Sequence, residues 1–151
     1  MKVNFEINDN HALSFEGRHI DLHNNFDFVG FDYNVADREL KLHWKKSGGD
    51  WVDKNELSSL VLTHKEVTFL KVTDQDEKST YDDDSCLGEI TFFASTAREI
   101  NDSIVRQSKP NEGDDILYFF ENGQLIRIHC EWVELDAKQP HDISEPKPLT
   151  K

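Results

Sequence analysis

Asp115–Leu135 reads DILYFFENGQLIRIHCEWVEL, and the fold turns on this stretch. Asn122-Gly123 accepts the positive φ angles of a type I′ turn, so the flanking segments are expected to fold back as a β-hairpin. A two-residue loop sets Phe119 opposite Ile126 and Leu117 opposite Ile128, with Cys130 and Trp132 continuing that side. This face is apolar and is expected to be core. The other face carries Ile116, Tyr118, Phe120, Leu125, Arg127, His129 and Glu131, a mixed set expected to meet solvent, the helix or a partner.

Working outward, most of the chain has the alternation of strands. Val3, Phe5 and Ile7 share one side of the first segment, and Leu13 and Phe15 mark a short partner for it. Phe26 and Phe28 have one parity, whereas Phe31, Tyr33 and Val35 have the other. One extra residue at Gly30, a β-bulge, would bring all five to one face. Leu40, Leu42 and Trp44 alternate with Glu39, Lys41, His43 and Lys45, the clearest one-faced strand. Leu57–His64 and Glu66–Thr73 are expected to pair as a hairpin about Lys65-Glu66, and Leu87–Ala94 returns to strand character. Thr96 and Glu99 form a capping box, with Ala97, Ile100 and Ile104 on one helical face, so a helix is expected here.

The sum is a mainly β (β-rich α+β) domain: an antiparallel meander of about eight or nine strands in a curved sheet, sandwich or partial barrel, with about one helix. The 151 residues fit a single domain, expected over 1–137. Residues 138–151 form a polar, proline-containing tail expected to be disordered.

The formal charge of −13 argues against nucleic acid and anionic membrane surfaces as partners, since both need clustered Lys and Arg. It suits a basic protein partner. No segment has the length and apolarity of a signal peptide or membrane helix. The expectation is therefore a cytoplasmic protein whose Cys86 and Cys130 are reduced.

The candidate chemistry is sparse. His19, Asp21 and His23 share parity and could contribute to a metal site if the strand ran through them, but no distant fourth ligand is indicated, and no cofactor is expected. The acidic stretch Asp74–Ser85 has Ser79 and Ser85 where a calcium-binding EF-hand loop needs Gly and Glu. Nucleophile elbows, phosphate loops and dinucleotide fingerprints are absent, and no catalytic residues are assigned. Arg127, His129 and Glu131 are close enough in sequence for an acid/base cluster, although polar neighbours are ordinary on a half-exposed sheet.

The expected function is non-enzymatic: an acidic protein-binding module, in one form an immunity-type inhibitor of a basic partner. Asp74, Asp76, Asp82, Asp83 and Asp84 would steer the partner, and Tyr118, Phe120 and Arg127 would dock it. The alternative is a curved sheet or barrel that binds a small ligand.

Overall fold

The structure is a computed structural model and describes residues 1–100 and 103–140. Its first strands are β1 (Lys2–Val3), β2 (Glu6–Asn8), β3 (Ala12–Phe15) and β4 (Arg18–Asp21), followed by a one-turn helix, α1 (Leu22–Asn25). Next come β5 (Phe26–Asn34), β6 (Glu39–Lys46), β7 (Ser59–Lys65) and β8 (Phe69–Thr73), then a second one-turn helix, α2 (Tyr81–Asp84). The chain continues through β9 (Leu87–Ala94), β10 (Asp114–Phe120), β11 (Leu125–His129) and β12 (Trp132–Lys138).

The strands form three sheets, ordered β1-β12-β7-β6-β5, β8-β11-β10-β9 and β2-β3-β4. All pairings are antiparallel except β1 with β12, and no sheet closes into a barrel. The fold is therefore mainly β, as the alternation implied, but divided among three sheets rather than drawn out as one meander. Lys2–Ile7 contributes to two of them.

The five- and four-stranded sheets face each other across an aromatic core. Trp44 meets Tyr118 with ring centroids 6.1 Å apart, and Phe28 meets Phe120 at 4.5 Å. Leu42, Leu62, Ile116 and Ile126 are fully buried in the same cluster. The three-stranded sheet is tied on by reciprocal bonds: Ile90 N donates to Asn10 O, and Asn10 Nδ2 donates to Ile90 O.

The bulge at Gly30 forms. Phe28 pairs with Trp44 and Gly30 with His43, so Phe31 lies opposite Leu42 and Tyr33 opposite Leu40. The aromatic residues on either side of the glycine thus share the inward face.

Three expectations are corrected. The hairpin is present, but its loop has three residues, Glu121–Asn122–Gly123, closed by Phe120 N donating to Gln124 O. Gly123 takes φ +86°, the glycine position of a three-residue hairpin loop. Phe119 therefore pairs with Leu125 and Tyr118 with Ile126. A one-residue change of register turns β10 over relative to β11. Ile116, Tyr118 and Phe120 join Ile126 and Ile128 in the core, while Asp115 and Leu117 move to the side of Arg127 and His129.

Second, β7 and β8 are not hairpin partners. β7 pairs with β12 and β8 with β11, so two long segments run together and cross from one sheet to the other. Lys65-Glu66 lies at that crossing, with Glu66 at φ +55°. Trp132 consequently belongs to the five-stranded sheet rather than extending the hairpin.

Third, the expected helix is only a 3₁₀ turn, Ser95–Ala97. Core side chains claim the backbone groups that a helix would use: Arg127 donates to Ala94 O and Ile100 O, and Thr91 Oγ1 donates to Val105 O. So short a helix is marginal on its own, and these bonds hold the described residues of the segment as a cover against the four-stranded sheet. The capping-box helix would also have included residues 101 and 102, which lie outside the described residues, as do residues 141–151 of the expected tail.

Among the described residues, no helix is long and apolar enough to cross a membrane.

Candidate functional site

The acidic segment follows β8. Asp76 organises its first turn: its carboxylate accepts from Lys78 N and its carbonyl from Ser79 Oγ. Thr80 and Asp83 form a reciprocal capping box that starts α2, so the run Tyr81-Asp82-Asp83-Asp84 is held as a helical turn. The segment is anchored at both ends. Asp76 N donates to Asn122 O and Asn122 Nδ2 to Asp84 Oδ1, binding it to the hairpin tip. Phe28 N donates to Ser85 O at 2.7 Å, binding it to β5.

Asp74, Asp76 and Asp82 are exposed, and Asp83 and Asp84 partly so. Tyr81 projects from the same turn at 93% exposure. Asp27 and Glu121 extend the negative charge: burial, and after it the charges of Glu121, Asp83 and Asp27, raise the pKa of the Cys86 thiol.

Beside this acidic segment, β5 is the edge of its sheet. The facing sheet covers its beginning, where the Phe28 ring packs at a tilt against Phe120. Beyond the bulge, Phe31 and Tyr33 remain more than one-third exposed; Val29, in the bulge itself, is 62% exposed, and Val35, just after the strand, 74%. The result is an apolar ledge joined to an anionic turn. The bulge and the alternating Asp27 and Asp32 disfavour addition of a foreign strand to this edge, so contact here falls to side chains.

Tyr118, Phe120 and Arg127 do not belong to this surface. All three are buried, because the true hairpin register turns Tyr118 and Phe120 into the core. Arg127 Nε donates to Asp115 at 2.7 Å beneath the cover segment. The docking role expected of these three is excluded by their burial.

Asp115 is the centre of a second cluster. Arg98 grips its carboxylate through two bonds of 2.9 and 3.0 Å, and His129 Nδ1 lies 2.8 Å from Oδ1. Burial raises the Asp115 pKa, but the hydrogen bonds from Arg98 and Arg127 outweigh it and hold the carboxyl below its ordinary value. The carboxylate is saturated with donors, and the Arg98 guanidinium stacks 3.7 Å over Phe69. This arrangement ties the cover segment to the sheet. Glu131 is exposed in the turn after β11, so the cluster forms around Asp115 rather than around Arg127, His129 and Glu131.

His19, Asp21 and His23 do not share a strand face, since β4 ends at Asp21. Both Asp21 oxygens are taken by Asn24, as the cap of α1, and His19 is exposed near Asn8. His23, carried on α1, meets Cys86 and Glu121 instead. Sequence reasoning missed this trio and Arg98, because their partners lie 17 to 98 positions away and share no local motif.

No family model matches the chain, and no curated protein or solved structure matches it.

Proposed function

We propose that this chain is an acidic protein-binding module whose contact surface combines the α2 turn with the exposed end of β5. The observation that carries the proposal is the joining of Asp82–Asp84 and Tyr81 to Val29, Phe31 and Tyr33 through the Phe28–Ser85 backbone bond. Carboxylates on one preorganised turn attract a basic partner and raise its association rate. Partly exposed aromatic groups beside them supply apolar area that is desolvated on contact. An immunity-type inhibitor that covers a basic toxin is one form of this function, supported by the charge of −13 and the small size.

The test is retention of a basic partner by the immobilised chain. Asp82→Asn/Asp83→Asn/Asp84→Asn should weaken retention at low salt and flatten its salt dependence. Retention that is insensitive to both salt and the triple substitution contradicts the proposal.

A further inference from the structure

Three potential metal ligands arrive from separate elements. His23 lies in α1, Cys86 directly before β9, and Glu121 at the start of the hairpin loop. Their donor atoms lie within 4.8 Å of one another. Cys86 Sγ is 3.6 Å from His23 Nδ1, and Glu121 Oε1 is 4.0 Å from the same nitrogen. We propose that His23, Cys86 and Glu121 form a binding site for a thiophilic divalent cation, with zinc(II) as the best match, and a fourth position open to solvent.

The donor set suits that ion. Thiolate, imidazole and carboxylate are its ordinary ligands, whereas calcium or magnesium would demand oxygen. Bond lengths of about 2.3 Å to sulfur and 2.0–2.2 Å to nitrogen or oxygen put tetrahedral ligand atoms roughly 3.3–3.7 Å apart. The sulfur–nitrogen separation already falls in that range, whereas the carboxylate oxygen, 4.0 Å from Nδ1 and within 4.8 Å of the sulfur, has to swing in by roughly 0.5–1 Å.

The backbone preorganises two of the three. Glu121 N donates to Cys86 O at 2.9 Å, whereas the 2.7 Å contact of His23 Nδ1 with Leu87 O has to open before that nitrogen can take a metal. Gly88 gives the carboxylate room: a Cβ there would stand 3.0 Å from Glu121 Oε1 and press it aside by a few tenths of an ångström. The site borders a cleft of about 620 Å³ lined in part by His11, His23, Glu89, Arg106 and Glu121.

The electrostatics discriminate between roles for the cysteine. Burial and the negative charges of Glu121, Asp83 and Asp27 push its thiol pKa up, which disfavours a free reactive thiolate. The same carboxylates favour a dication. On binding, the Cys86 thiol proton passes to solvent and the thiolate takes the metal. The imidazole stays neutral, with its proton on Nε2, and gives up the bond to Leu87 O. Binding therefore releases a proton and weakens as pH falls.

Titrating the full chain with cobalt(II) tests this site. One equivalent should give tetrahedral visible absorption and a thiolate-to-cobalt charge-transfer band, both displaced by zinc(II). Cys86→Ser should abolish the charge-transfer band, Glu121→Gln should weaken binding at least tenfold, and Cys130→Ser should change neither. Zinc should also slow alkylation of Cys86 in the unsubstituted chain at least tenfold, a readout independent of how the variants fold. Cobalt that stays octahedral, a band that survives Cys86→Ser, or alkylation indifferent to zinc would overturn the proposal.

Discussion

Tyr118 and His64 join the two large sheets through a single buried hydrogen bond: the β10 phenol lies 2.7 Å from Nε2 of the β7 imidazole. Nδ1 lies 3.0 Å from Leu40 O, so the neutral ring donates there and accepts from the phenol. Removing the hydroxyl as Tyr118→Phe leaves Nε2 buried and unpaired, at an expected cost of about 1–3 kcal/mol. Urea unfolding measures it. A loss of stability no larger than a surface substitution causes would show that the bond does not contribute.

The same pair gives a pH dependence. Burial lowers the His64 pKa from 6.5 to about 4, so between these values the unfolded chain binds a proton that the folded chain refuses. Stability is therefore full above pH 6.5 and falls as the pH drops towards 4, by about 3 kcal/mol in all. Asp115, whose pKa is lowered from 3.8, loses its contribution only at still lower pH. The double substitution His64→Leu/Tyr118→Phe should remove the dependence between pH 6.5 and 4. An unchanged slope in that variant would assign it to other groups.

Asp115 neutralises Arg127 in a place where water does not reach. Asp115→Asn keeps the shape but strands the guanidinium, with an expected loss of about 3–5 kcal/mol. Arg98→Ala should cost less, because Arg98 is one-third exposed and its charge can be solvated. Chemical denaturation of the two variants tests the order. The reverse order would place the anchor of the cover segment at Arg98.

Phe31 is inward-facing yet 40% exposed, beyond the reach of the opposite sheet. Phe31→Ala is expected to cost about 1 kcal/mol of stability, well below the roughly 3–5 of a fully buried Phe, and to weaken partner binding at least tenfold. Thermal unfolding and binding measured together separate the two effects. A variant that binds normally would remove the ledge from the contact surface.

Gly30 was legible as a bulge because a change of parity within an otherwise apolar strand has one economical cure, and glycine tolerates it. The hairpin was legible in Asn122-Gly123, but its register was not. The same dipeptide serves a two-residue loop or the end of a three-residue one, and Glu121 does not distinguish them. That single residue decided whether Tyr118 and Phe120 docked a partner or filled the core. The acidic turn was visible as composition, whereas its attachment to β5 rests on the Phe28–Ser85 backbone bond, which no side-chain pattern records. Thr96 and Glu99 are a sound local helix signal overridden by the acceptor demands of Arg127.

The most direct test of the central proposal compares three immobilised proteins in one lysate: the unsubstituted chain, the Asp82–Asp84 triple asparagine variant, and Phe31→Ala. The captured proteins are quantified across a salt gradient. The expected result is a basic protein retained by the unsubstituted chain, released by salt, and depleted at least tenfold on both variants. A captured partner that is not basic, or one held equally by all three proteins at every salt concentration, would contradict the account.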